Sequence, residues 1–138
     1  MKINYFCTHW GNQLPFQKFC KKVVKAGYNG VEMDLPLEKK KRNEIIETLI
    51  DHGLLLIGQY WQSLEKDFNL NENNFKKHLY NLAEVNPVMI NTQTGKDYFS
   101  FAQNMQLVKA AKIISAETGI EIVHEARRGK FLYNLQVF

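Results

Sequence analysis

The sequence predicts an α/β domain built of parallel β/α units of the barrel type, and three observations carry that prediction. Five short segments rich in β-forming residues alternate with four segments of helical periodicity. The strand starts lie roughly 25 to 33 residues apart, which is the spacing of a barrel of about 250 residues divided into eight units. Polar side chains follow every strand at its carboxyl end: Thr8 and His9, Glu32 and Asp34, Gln59 and Gln62, Asn91 and Gln93, His124 and Glu125.

The helices show in their apolar spacing. Phe16, Phe19, Cys20, Val23 and Val24 recur at i, i+3, i+4, i+7 and i+8, and Gly27 is placed to stop that helix. Ile45, Ile46, Leu49 and Ile50 repeat the pattern before Gly53. Phe75, Leu79, Leu82 and Ala83 follow it more loosely, with cap candidates at Asn71 to Asn74 and a stop at Asn86-Pro87. The fourth helix opens at Ser100, where Ser-x-x-Gln with Gln103 reads as a capping box, and it closes at Gly119. The strands fall at Ile3 to Cys7, Gly30 to Met33, Leu54 to Ile57, Val88 to Asn91 and Ile120 to His124.

Such alternation means crossover units and a parallel sheet covered by helices. The competing architecture is a five-stranded, flavodoxin-like open sheet. A phosphate-binding sheet of that kind has a glycine-rich or Ser/Thr-rich first loop, and a receiver-like one has an acidic pair there. The loop Thr8-His9-Trp10-Gly11-Asn12 has neither. Residues delivered by all five strands to one face suit a barrel, whose active site is built at the carboxyl ends. No linker, composition shift or low-complexity tract divides the chain, so residues 1–138 read as a single, partial (β/α) barrel domain.

Composition narrows the functions. With 45% hydrophobic and 23% charged residues, the chain can bury one core. A net charge of +4 is modest, and its densest source, Lys39 to Arg42, reads as the solvated start of a helix rather than a nucleic-acid surface. No apolar run has the length of a signal peptide or a membrane span, which points to a cytoplasmic protein with no membrane partner. Cys7 and Cys20 are too few and too far apart for a disulfide framework or a metal clip, and read as reduced thiols. His52 and His78 fall within helices and read as surface residues.

Four stretches carry a resemblance: "GYNGVEMDLPL", "HGLLLIGQYWQ", "NPVMINTQTGKDYFSFAQN" and above all "IVHEARRGKF". Together they resemble the sugar phosphate isomerase/epimerase family of the xylose isomerase-like TIM barrels, over essentially the whole chain but only the first half to five-eighths of the family's barrel. The resemblance implies metal-assisted proton transfer between adjacent carbons of a small-molecule sugar, sugar phosphate or hydroxy-carbonyl substrate, with a divalent cation such as Mn²⁺ or Mg²⁺. The chemistry needs such a site, because abstracting a proton beside a carbonyl makes an enediolate whose charge must be stabilised while a carboxylate takes the proton.

By position, Glu125 matches the family's fifth-strand glutamate and is the expected catalytic residue and metal ligand. The expected substrate-binding residues are Glu32, His9, Trp10, Gln59, Trp61, Asn91, Gln93, His124 and Arg128, the last as a bidentate grip on an anion. His124 and Glu125 alternate, so one can face the barrel interior while the other faces the helices. The chain departs from the family in having Ala126 and Arg127 where Thr and His stand, and in stopping before strands six to eight, which supply the other ligands and the second carboxylate. It is therefore expected to carry only part of a site, its open sheet edges pairing with another copy. The alternative reading is a non-catalytic remnant that binds a sugar-like ligand or a partner chain.

Overall fold

A computed structural model describes residues 1–133, over which five strands form one all-parallel sheet in chain order: β1 (Phe6–Thr8), β2 (Gly30–Met33), β3 (Leu55–Tyr60), β4 (Met89–Thr92) and β5 (Ile122–His124). Between them run α1 (Phe16–Lys25), α2 (Lys39–Asp51), α3 (Phe68–Ala83) and α4 (Phe101–Thr118), and a single 3₁₀ turn, Phe131–Tyr133, follows β5. Each strand pairs only with its neighbours in the chain. A flavodoxin-like sheet reverses its strand order at a switch point; this one never does, so the alternative is excluded and the arc has the progression of a TIM-barrel-type unit.

Successive strand residues point to opposite faces, and burial separates the two sets. Val31, Met33, Leu56, Tyr60, Ile90 and Thr92 are buried against the helices. Glu32, Ile57, Gln59 and Asn91 alternate with them on the other face and are only half-buried. The helices fill the first side as their periodicity requires: Phe19, Cys20 and Val23 from α1, Leu49 from α2, Phe75, Leu79 and Leu82 from α3, and Leu107, Ala111 and Ile114 from α4 form one cluster.

Several boundaries differ from the sequence reading for local reasons. β1 begins at Phe6 rather than Ile3, because the Tyr5 N–H is taken by the Asn29 side chain at 2.9 Å. β3 runs on to Tyr60, and β5 starts only at Ile122. α3 begins at Phe68, where the Asp67 carboxylate accepts from the Leu70 N–H at 2.9 Å and caps the helix, so Asn71 to Asn74 lie inside it. The capping box of α4 is formed as expected, Ser100 Oγ accepting from the Gln103 N–H and Gln103 Oε1 from the Ser100 N–H, and Gly119 ends the helix at φ +73°.

The basic run of α2 is not wholly solvated. Lys39 to Lys41 are exposed, but Arg42 is only 5% exposed and pins α2 to α3: Nη1 donates to Asn81 Oδ1 at 2.5 Å, and Nη2 pairs with Glu84 at 2.6 Å. His78 is not a surface residue either. It shares the sheetward side of α3 with Phe75, Leu79 and Leu82, and its ring stacks on Tyr60 at 4.7 Å. His52 is half-buried at the end of α2, with Nδ1 2.8 Å from the Thr48 carbonyl. Among the described residues no helix is long and apolar enough to cross a membrane.

The loop from β4 to α4 is latched from within. Asn104 accepts from the Lys96 N–H at 3.1 Å and donates to the carbonyls of Lys96 (2.8 Å) and Phe99 (3.1 Å). The latch requires Gly95 at φ +67°, where an added Cβ would stand 2.0 Å from Asn104 Oδ1. Gly95→Ala should therefore cost about 2 to 4 kcal/mol of stability, measured by urea unfolding. A loss below about 0.5 kcal/mol would mean that the loop has another way to close.

Candidate functional site

The open face is organised by Asn91. Because Ile90 and Thr92 are drawn to the helix side, the Asn91 side chain stands on the open side, and its Nδ2 donates to Glu32 Oε1 at 2.9 Å and to Glu125 Oε2 at 3.3 Å. One amide thus spans two carboxylates from β2 and the end of β5. Gln93, one step further along the same face, donates from Nε2 to the same Glu125 oxygen at 3.3 Å and accepts from Arg127 Nη1 at 3.0 Å. The result is a hydrogen-bonded line running Glu32, Asn91, Glu125, Gln93, Arg127 across the strand ends.

Two adjoining clefts open beside this line, of about 270 and 240 Å³. Trp10, Gln59 and Trp61 line both; Glu125, Gln93 and Arg127 line the first, and His9, Asn12 and Asp34 the second. Trp10 is 79% exposed and Trp61 half-buried, so each can offer an aromatic face to a ligand. The His9 ring packs edge-on against Phe16 and Phe19, at 5.6 and 5.0 Å. Burial lowers its pKa, while the Asp34 carboxylate pulls it up. The Asp34 carboxylate in turn accepts from Gln62 Nε2 at 2.6 Å.

Of the residues expected to bind substrate, His9, Trp10, Gln59, Trp61 and Gln93 thus line the clefts with Glu125, and Glu32 and Asn91 lie on the same face, joined to Glu125 by the Asn91 amide without lining either cleft. Two do neither. His124 points to the helix side, its Nδ1 2.6 Å from Thr94 Oγ1, and burial lowers its pKa. Arg128 is exposed and lines neither cleft. Its neighbour Arg127 lines the first cleft and holds Gln93 instead.

The donors present do not suit a divalent metal. Among the described residues no three His, Cys, Asp or Glu side chains gather as such a site requires, and Mn²⁺ or Mg²⁺ takes about six ligands, mostly oxygens. The two carboxylates that are near each other already share the Asn91 amide, and a guanidinium lines the cleft beside them. What the described residues can do unaided is accept and return protons, donate hydrogen bonds to hydroxyls and hold negative charge near Arg127.

No known family model and no curated protein matches the sequence. Among solved structures, the chain is similar to the probable 3-DHS dehydratase AsbF, involved in petrobactin synthesis, from Bacillus anthracis: TM-score 0.62 and 16% identity, over 94% of this chain and 54% of that one. It is also similar to the carboxyl transferase domain of Rhizobium etli pyruvate carboxylase, with TM-score 0.52 and 14% identity over 85% of this chain and 21% of that one. That domain with pyruvate and biocytin gives 0.51 and 15%, over 78% and 18%. The chain spans about half the length of the first of these. At such identities the likeness shows the fold, an arc of parallel β/α units, and it supports the motif resemblance at that level.

His9, His78 and His124 all have pKa values lowered chiefly by burial. The unfolded chain then takes up protons at these positions before the native one does. Stability should fall as pH drops below about 6.5, each histidine adding up to one proton of slope. Urea midpoints measured from pH 7.5 to 5 check this, with a shallower slope expected for His124→Asn and an unchanged slope counting against its burial as the neutral imidazole.

Proposed function

We propose that the open face binds a small polyhydroxylated carbonyl compound of the sugar or sugar phosphate class and moves a proton between its adjacent carbons. The observation that carries this reading is the sharing of one Asn91 amide by Glu32 and Glu125 on an accessible face. Glu125 takes the proton from the carbon beside the carbonyl. Glu32, on the far side of the amide, faces the neighbouring hydroxyl or carbon and serves as the complementary acid. Charge developing on the enediolate oxygens is met by the Arg127 guanidinium and the free N–H of the Gln93 amide, which the bond between the two holds in place beforehand. Trp10 and Trp61 give the sugar ring its apolar walls, and Gln59 a hydroxyl partner.

The second reading, binding without turnover, is favoured by the same Arg127. It stands where the resembling family has histidine, and it holds Gln93 by a bond that does not need a ligand. We also propose a reducing, cytoplasmic setting, on the strength of the free thiols Cys7 and Cys20, and pairing of the β1 and β5 edges with a second copy, for which a concentration-dependent mass by light scattering is the check.

The two readings part in deuterium oxide. Incubated with a panel of aldoses, ketoses and their phosphates, the protein should wash solvent deuterium into a carbon beside the carbonyl, followed by NMR. Glu125→Gln should slow exchange by about 10² to 10⁴-fold with little change in ligand binding. Saturable binding without exchange would select the binding-only reading, and equal exchange by Glu125→Gln would remove that residue from the chemistry.

A further inference from the structure

Three consecutive strand-end loops bring together two lysines that the proposed chemistry does not use. Lys96, after β4, and Lys130, after β5, are 8% and 7% exposed, and Ser63, after β3, is fully buried. Lys130 Nζ donates to Ser63 Oγ at 2.7 Å and to the Ser63 carbonyl at 3.4 Å. The Ser63 hydroxyl in turn lies 3.4 Å from the Gln93 carbonyl, which ties the group to the site. Main-chain bonds sew the loops after β4 and β5 together, Asp97 N–H to the Gly129 carbonyl and Phe131 N–H to that of Thr94.

Buried cations are normally matched by carboxylates. Here neither lysine forms an ion pair among the described residues. The charged groups acting on Lys130 are Lys96, Arg127 and Glu65, and the two cations outweigh the carboxylate. Burial above all, and then these cations, push the ammonium down to about 8. Glu65 is otherwise engaged, its Oε1 accepting from Asn74 at 2.6 Å while its Oε2 is buried without a partner. Among the described residues the cationic group thus has a donor to spare and no carboxylate ion-paired with it, Glu65 acting on Lys130 without a direct bond.

We infer that Lys96, Lys130 and the Ser63 hydroxyl, flanked by Arg127, form a subsite for a phosphoryl group. Two ammonium groups and a guanidinium balance a phosphate dianion better than a single carboxylate. As a pocket for a substrate-borne phosphate it rests on the sugar phosphate reading above, but inorganic phosphate probes it directly.

The test uses the full chain with its lysines ¹³C-labelled, titrated by NMR with inorganic phosphate, sulfate and acetate at matched ionic strength. Phosphate should raise the Lys130 titration midpoint by one unit or more and raise the melting temperature. Acetate should do neither at equal concentration. Lys130→Met and Lys96→Met should each weaken phosphate binding at least about tenfold, whereas Glu125→Gln should leave it intact, so that failure of the proton-transfer reading does not touch this one. A Lys130 midpoint insensitive to phosphate overturns the subsite, and this wild-type measurement decides the matter even where a methionine variant does not fold. An equal response to acetate overturns the phosphoryl assignment.

Discussion

Everything on the open face follows from the register of β4, because a strand flanked on both sides has no freedom to turn its side chains over. Ile90 and Thr92 are fully buried against the helices, and a slip of one residue would place an amide among Leu79, Leu82 and Leu107. The apolar core thus fixes where Asn91 points. Asn91 fixes the separation of Glu32 and Glu125, and Gln93, two residues on, fixes Arg127. The polar site depends on packing with which it makes no contact.

The fold was legible because its signals are periodic. Alternating strands and helices, a regular unit length, the capping box at Ser100 and the glycine at 119 each act locally, so each can be read without knowing the rest. The site was legible only in part. Alternation distinguishes Glu125 from His124 once one of the two is assigned to a face, but β5 ends at His124, so no strand rule chooses between Arg127 and Arg128, and the expected grip went to Arg128 through likeness of motif. Arg42 was hidden by its context: three exposed lysines precede it, and only the long-range partners Asn81 and Glu84 make the fourth cation a structural one. Lys96 and Lys130 stand 34 positions apart in the sequence, and no local pattern announces that their loops meet.

The stretch "NTQTGKDYFSFAQN" shows how densely the two kinds of information are interleaved. Asn91 and Gln93 serve the open face, and Thr92 and Thr94 the helix side. Gly95 turns the chain, Lys96 enters the cationic group, and Asn104 latches the loop. Its recognisability as a motif is therefore partly a record of a loop that must close in one way. The contrast between Arg42 and Lys130 makes a similar point about charge. Both are buried cations, but one has an amide and a carboxylate to satisfy it and acts as a pin, whereas the other has a hydroxyl, a carbonyl and two like charges.

The strand order itself bears on how the molecule comes into being. Since order in the sheet equals order in the chain, each β/α unit docks on the one just completed, and no strand waits for a distant partner. Such a sheet can grow in the direction of synthesis, with every loop closure about one unit long. The carboxylate pair is the exception to this locality. Glu32 is laid down with the second strand and must wait until the fifth has added before Glu125 faces it, so the carboxylate pair forms only when β5 docks and is lost when β5 frays.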